Sequence, residues 1–509
     1  MVPPTLPKNA SRLALAGLLA LAVSAAPLRA ENGGSYGYIR VLEGSASLTA
    51  AGAAGRAAAE MNQPLQVGDR VTTADRGRAE LVLPDQNIVR LDGGSDLVLE
   101  KLAASPDGQD TATVLRLFRG NLQLVVTRDS LGDELPRVET PNASIFIEDF
   151  GAFRVTADHD DWSEVLVRKG AAQIVTDQDT VDLHADDDAV VSGDRAARVD
   201  VASAGSLDSL ERGGRDLAQA VSQADVRNVA PSLRYQAASL GRYGRWVDVE
   251  GQSYWRPDVD DDWRPYSRGS WTYTPSGLTW VSNESWGWVP YHYGTWSYLP
   301  SYGWAWAPGA VYAPAWVYWY WGPTYVGWCP TGFYTSYYGS AYASFGFHFG
   351  VYGWAGGDWG LFSRWNFVPV GHFGRRDLYR YAVPVRDLRD HGRFAQLPRG
   401  IITTDTRQLT PRTWRDPRQA MQVLSEHPTA RRVAGQLPNV TPFIARQPKL
   451  PTAVAQSITA AGGERGRLQG TPLLPQTLGQ RPAVRTIASA GPRPPAQDTR
   501  LREARPNAV

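Results

Sequence analysis

From Tyr36 to about Asp194 the chain alternates apolar and polar residues in short runs. Examples are Ala79-Glu80-Leu81-Val82-Leu83, Ile88-Val89-Arg90-Leu91, Leu97-Val98-Leu99-Glu100 and Leu115-Arg116-Leu117-Phe118. Successive side chains of an extended strand point to opposite faces, so a period of two predicts half-buried strands. Leu83-Pro84-Asp85 and Asp92-Gly93-Gly94 mark turns between them, and the whole stretch reads as an all-β domain of many short strands. Gly44, Gly68, Gly120 and Gly170 each lie beside a strand-like run, where a backbone corner calls for positive φ or close approach.

A longer period begins near Leu240. Gly244-x-Trp246, Gly269-x-Trp271 and Gly294-x-Trp296 recur every 25 residues, each followed by a second tryptophan: Trp255, Trp280 and Trp306. That interval fits one β-hairpin and its connection. Thr274-Pro275-Ser276-Gly277 and Pro300-Ser301-Tyr302-Gly303 supply the turns, and Trp271-x-Tyr273 and Trp296-x-Tyr298 would share a strand face. Trp321 falls another 25 residues on, but Trp319 stands where glycine is expected, so a fourth unit is degenerate or absent. Hairpins this small cannot bury a large aliphatic core, and tryptophan supplies the area instead, with glycine letting an indole lie against the neighbouring backbone. The alternative is that some rings stay exposed as stacking platforms for the C–H faces of sugars.

Between these regions the alternation lapses. Leu207, Leu210, Leu217 and Val221 can line one helical face with Ser206 as a cap, although Gly213-Gly214 interrupts the pattern. At the start, Lys8 and Arg12 flank an apolar run, Leu13 to Val23, and Leu28-Arg29-Ala30 precedes Glu31. This is the pattern of a cleaved secretory signal, and the run is short of the ~20 residues that span a bilayer. Ala310 to Trp328 is almost uncharged but is broken by Pro314, Gly322, Pro323 and Gly327, so no transmembrane span is expected after the signal.

Charge sharpens the division. The net charge of +1 over 509 residues conceals an acidic region over 31–200, a nearly uncharged aromatic array, and a basic, Arg- and Pro-rich region beyond. The resulting organisation is a signal peptide (1–30), a β domain (31–200), a helical linker (201–239), a Trp/Tyr/Gly-rich repeat domain (240–373) and a basic, largely disordered tail (374–509) with a short helix around Asp416 to Glu426. The fold class is mainly all-β. Cys329 is the single cysteine, which rules out an intramolecular disulfide and reads as a small packed residue.

The N-terminal module resembles the FecR domain. The ordered motifs are Leu65-Gln66-Val67-Gly68-Asp69-Arg70-Val71-Thr72-Thr73, Arg78-Ala79-Glu80-Leu81-Val82-Leu83-Pro84-Asp85, Phe118-Arg119-Gly120-Asn121-Leu122, Val138-Glu139-Thr140-Pro141-Asn142-Ala143 and Val165-Leu166-Val167-Arg168-Lys169-Gly170. Asp149-Phe150-Gly151-Ala152-Phe153 departs from the Gly-Thr-x-Phe usual there. The resemblance implies a periplasmic, β-rich partner-binding module. FecR proteins that regulate iron uptake place a membrane helix and a cytoplasmic segment before this domain; here a signal stands in their place. The stretch from Val281-Ser282-Asn283-Glu284-Ser285-Trp286-Gly287-Trp288 through Val289-Pro290-Tyr291-His292-Tyr293-Gly294-Thr295-Trp296 resembles the signature of a Trp/Tyr/Pro-rich domain of unknown function that often follows FecR domains.

Hydrolytic chemistry would need paired carboxylates, a nucleophile with its base, or a metal. Glu284 and His292 are close in sequence, but without a companion nucleophile His292 reads as a satisfied structural histidine. His292, His348 and His372 are too far apart for a zinc pattern. Asp258, Asp260, Asp261 and Asp262 lack the glycine and distal glutamate of an EF-hand, and like Asp186-Asp187-Asp188 read as solvated turns. No cofactor motif and no specific nucleic-acid signal is present. The expectation is a non-enzymatic, exported protein of the periplasm or cell envelope, with Trp271, Trp286, Trp288, Tyr291, His292 and Trp296 contacting glycan or an envelope protein. The basic tail is expected to meet anionic lipid or lipopolysaccharide, to solubilise, or to fold back on the acidic module. The alternative is a FecR-like signalling partner working through protein contacts of the first module.

Overall fold

A computed structural model describes residues 35–106, 110–128, 131–158, 161–193, 197–249, 251–299, 301–332, 364–384, 401–403 and 406–426. The expected signal peptide, His348 and most of the basic tail lie outside the described residues.

The first module is built from two sheets that share one strand. Val114–Val126, thirteen residues long, pairs through its first half with Asp96–Lys101 and in parallel with Arg137–Glu139. Its second half pairs with Ile88–Leu91 and Gly151–Asp158 in the other sheet. The change of sheet falls at Gly120, whose φ is 90°, and a Cβ there would collide with Ser95, so a side chain is excluded on both counts. Gly44, Gly68 and Gly170 also adopt positive φ, as the sequence pattern suggests. Inward-facing Leu97, Leu99, Leu115, Leu117, Leu122, Leu124, Val155 and Val165 are fully buried, and they belong to one aliphatic core between the two sheets. This is the outcome that period-two alternation requires.

The linker helix runs Ser209–Ser222 without a break at Gly213-Gly214. Its cap is Asp208 rather than Ser206: the Asp208 carboxylate accepts from Glu211 N while Glu211 accepts from Asp208 N, a reciprocal capping box. The second glycine has a packing role, because a Cβ at Gly214 would come within 2.5 Å of Arg90 and Gln123 on the first module. Arg168 holds Glu211 at 2.6 Å and Arg154 holds Asp208 at 2.6 Å, fixing the helix to the sheet.

Each repeat is a hairpin in which the two tryptophans face each other across the strands. Gly244–Val249 pairs with Gln252–Pro257, placing Trp246 opposite Trp255. Gly269–Thr274 and Gly277–Ser282 place Trp271 opposite Trp280; Tyr293–Leu299 and Gly303–Tyr312 place Trp296 opposite Trp306. The fourth unit is present in altered form: Val317–Trp321 and Tyr325–Pro330 pair with Trp319 opposite Trp328. Trp255 also pairs with Trp306, joining the first and third hairpins. The repeated glycine has a steric cause. A Cβ at Gly269 would overlap the Val281 carbonyl and approach Trp280 Cζ2 to 2.6 Å, and one at Gly244 would overlap the Arg256 carbonyl and approach Trp255 Cζ2 to 2.8 Å. A helix over Pro417–Glu426 occupies the tail segment where one was expected. Among the described residues no helix is long and apolar enough to cross a membrane.

Candidate functional site

The signature segment of the aromatic region is where that region meets the first module. Its local structure is a tight loop after Ser282 followed by a short helix, Trp288–His292. Asn62 of the first module, buried and in the left-handed region at φ 59°, inserts into this loop. Its Nδ2 donates to the Ser282 carbonyl at 2.9 Å and the Glu284 carbonyl at 2.8 Å, and its Oδ1 accepts from Trp288 N at 3.1 Å. One asparagine thus binds three backbone groups of the loop: the Ser282 carbonyl and the Trp288 amide, each costly to bury alone, and the Glu284 carbonyl, which also accepts from Gly287 N at 2.9 Å. Beside it Tyr38 stacks on Trp288 at 4.1 Å with the rings 4° from parallel, and Tyr36 Oη lies 3.1 Å from Ser276 Oγ. Tyr36, Tyr38 and Val82 therefore belong to the aromatic core, not the aliphatic one.

The linker adds a second, polar contact. Glu80 accepts from Arg40 at 2.5 Å and Arg90 at 2.8 Å. Tyr235 Oη donates to Glu80 at 3.1 Å and accepts from Arg90 at 2.9 Å, while the Arg40 guanidinium lies 4.6 Å over the Tyr235 ring. Burial, with Glu80 adjacent, raises the Tyr235 phenol to about 12. Gln236 donates to Gln86 at 2.7 Å.

Behind the loop, Glu284 is enclosed by aromatic rings. It accepts from Trp263 Nε1 at 2.9 Å, Tyr291 Oη at 3.0 Å and Ser282 Oγ at 2.5 Å. Burial pushes its carboxyl above the ordinary range, opposed by these three donors. His292 does not join this cluster. Its ring lies against Trp288 and Tyr312, its Nδ1 is 3.0 Å from the Ala313 carbonyl, and burial lowers it to about 4. A neutral, enclosed imidazole of this kind is the satisfied structural histidine, not a general base.

The six residues expected to form an exposed aromatic surface are all in the core. Trp271, Trp286, Trp288, Tyr291, His292 and Trp296 are each less than a tenth exposed, with Trp286 the highest at 7%. The physical reason is that the hairpins turn their rings onto one another: Trp286 packs on Trp255, Tyr291 and Trp296, and Trp271 on Trp319 at 4.3 Å. Cys329 is buried too. The acidic turn is solvated, with Asp258 pairing with Arg245 at 3.2 Å and Asp260 with Arg268 at 2.9 Å. Among the described residues no three potential metal-ligating side chains converge. Asn62 and Tyr38 carry no motif in the sequence; the one local signal is an asparagine in a short polar run, a residue that tolerates left-handed backbone.

Residues 69–173 match the family described as FecR protein, and residues 237–336 match a family of unknown function, DUF6600. The chain therefore carries a FecR domain followed by a DUF6600 region. No curated protein matches it. Two crystal structures of a candidate anti-sigma factor from Parabacteroides distasonis resemble part of it, at 18% and 17% identity and a TM-score of 0.23 each. The aligned part is 26% of this chain and 59% of theirs, so the chain spans less than two thirds of those proteins.

Proposed function

We propose that this is a non-enzymatic regulatory scaffold of the bacterial cell envelope, exported by its N-terminal segment, in which the DUF6600 region braces a FecR domain that contacts other proteins. The observation that carries this reading is the seam itself. Asn62 and Tyr38 draw the aromatic signature inward, so the region's most distinctive residues are occupied in holding the FecR domain. The outer face of the FecR sheets remains available, with Phe118 and Phe146 exposed at 41% and 37%. Arg70 lies 4.9 Å over Phe118 and Arg137 lies 5.2 Å over Phe146. Aromatic and arginine side chains presented together on a pleated surface suit protein contact. The FecR match favours a regulatory role over catalysis, and burial of the six aromatic residues counts against glycan stacking by them.

A photo-crosslinking amino acid placed at position 118 or 146 of the full chain, in living cells, tests this. A discrete protein adduct from those positions, absent from the still more exposed position 379, is expected. In parallel, peptidoglycan sacculi should leave tryptophan emission unchanged. A saturable emission change with sacculi, lost on Trp296→Phe, would replace the scaffold reading with glycan binding.

A further inference from the structure

Away from the seam, a cleft of about 120 Å³ opens where three parts of the chain meet: the FecR domain, the second hairpin and the segment after the array. Its volume is several times what one water needs. Glu60 and Gln63 come from the first part, Thr272 from the second, and Arg375, Arg376 and Arg415 from the third. The three guanidinium groups are not equivalent. Arg376 is taken up internally, at 2.6 Å from Glu60 and 3.2 Å from the Ala58 carbonyl. Arg375 and Arg415 are exposed, and among the described residues neither has a carboxylate partner.

Both are nonetheless held in place. The Arg375 guanidinium lies 5.7 Å over Tyr381 and that of Arg415 5.3 Å over Trp414, distances at which an aromatic face still orients a cation. Arg415 Cγ is 3.9 Å from where a Cβ of Gly374 would stand, so its stem crosses the backbone immediately before Arg375. The carboxylates that lie close to them in sequence are committed elsewhere. Asp416 accepts from Arg418 N at 3.0 Å and Gln419 Nε2 at 3.0 Å, and Asp377 pairs with Arg380 at 3.5 Å. With Glu60 cancelling Arg376, the cleft retains two unpaired, oriented positive charges.

We infer that this cleft binds a phosphoryl group, with Arg375 and Arg415 as its two cationic arms. Guanidinium forks match the oxygens of phosphate in geometry and charge. A carboxylate satisfies one arginine, as Glu60 does for Arg376; two further arginines lining the same cleft fit a group bearing up to two negative charges. The phosphoryl group could belong to a soluble phosphate or to a lipid headgroup, and the chemistry of recognition is the same for both.

The full chain is titrated with inorganic pyrophosphate at constant ionic strength in chloride, by calorimetry and by thermal melting, and separately with phosphatidylglycerol or phosphatidylcholine vesicles. Saturable pyrophosphate binding that weakens at least tenfold in the Arg375→Gln/Arg415→Gln double variant, but not in Arg227→Gln, is the expected result and points to a soluble ligand. Vesicle binding that needs phosphatidylglycerol and falls equally in the double variant supports the same site with a lipid source. Thr272→Glu, which places a carboxylate in the cleft without removing either arginine, should suppress the same signal and guards against misfolding of the double variant. Binding unchanged in both variants, binding matched by acetate, or no binding in either arm would overturn the inference.

Discussion

The two halves of this protein solve the same packing problem with different side chains. The FecR domain fills the space between its sheets with Leu, Val and Ile, which carry no polar atoms. The DUF6600 region fills its interior with indole and phenol rings, each bringing an N–H or O–H that must be accommodated. Part of that demand is met by backbone carbonyls: Trp255 Nε1 donates to Leu240 at 3.0 Å, Trp316 to His292 at 3.0 Å and Trp328 to Tyr266 at 2.8 Å. The Nε1 atoms of Trp271, Trp280, Trp288, Trp296 and Trp321 are buried and have no hydrogen-bond partner among the described residues. Seventeen strands contribute to the FecR core, so short aliphatic side chains from many strands suffice to fill it. The hairpins form sheets of only two to four strands, and they accept unsatisfied donors in exchange for the large apolar area of each ring.

The comparison can be broken most forcefully at a ring. Trp280→Ala removes a fully buried indole and should cost about 3–5 kcal/mol, against about 2–5 kcal/mol for Leu124→Ala in the aliphatic core. Because the seam ties the halves together, urea denaturation of either variant should show tryptophan emission and far-UV dichroism falling in a single coincident transition. Two separated transitions would show that the halves are independent.

Acid should act first on the aromatic half. His292 has a folded pKa of about 4, below its ordinary 6.5, so the unfolded chain takes up the proton first as pH falls. The associated stability is complete above pH 6.5 and is lost on descending toward pH 4, amounting to about 3 kcal/mol. Denaturation of the parent and of His292→Gln across pH 4 to 7 should isolate this difference. Glu284, raised by burial, has the opposite sign, with stability falling as pH rises through its folded value; it is common to both proteins and cancels. Parallel curves would show that His292 is not the acid-sensitive group.

At the seam, Asn62→Ala leaves the Ser282 carbonyl and the Trp288 amide without their side-chain partner and the Glu284 carbonyl with Gly287 N alone, and places alanine in left-handed backbone. A loss of about 2–3 kcal/mol is expected, together with faster hydrogen exchange at the Trp288 amide. Smallest are the glycine effects. Gly269→Ala must displace the Trp280 ring or the Val281 carbonyl and should cost about 1–2 kcal/mol. Gly241→Ala, in a helical turn with nothing within 4 Å, should be neutral or stabilise by about 0.5 kcal/mol. Equal effects at the two positions would remove the steric account of the repeat.

Much of this was legible in the sequence. Alternation located the strands of the FecR domain, and the 25-residue period located the hairpins and the cross-strand tryptophan pairs, because both are local consequences of strand geometry. Trp319 opposite Trp328 was harder, since the fourth hairpin lacks the marker glycine. The linker cap moved from Ser206 to Asp208 because Glu211 completes a reciprocal box that a hydrophobic stripe does not reveal. The error over Trp271, Trp286, Trp288, Tyr291, His292 and Trp296 has a different origin. Periodicity shows that a face is apolar and is silent about what covers it; the cover here includes Tyr36, Tyr38 and Asn62, more than 200 residues upstream. The arginine cleft was hidden for the same reason, its members lying at positions 60, 272, 375 and 415.

That separation along the chain sets an order of events in synthesis. Asn62 and the loop that receives it, at 282–288, are about 220 residues apart, so the FecR domain is translated well before its cover. Until the second and third hairpins emerge, Tyr36, Tyr38 and the Asn62 amide face solvent or whatever escorts the chain. Closing so distant a contact is slow compared with forming any one hairpin. The seam should therefore be the last part to assemble, and the interval before it closes is when this protein is most exposed to aggregation and proteolysis.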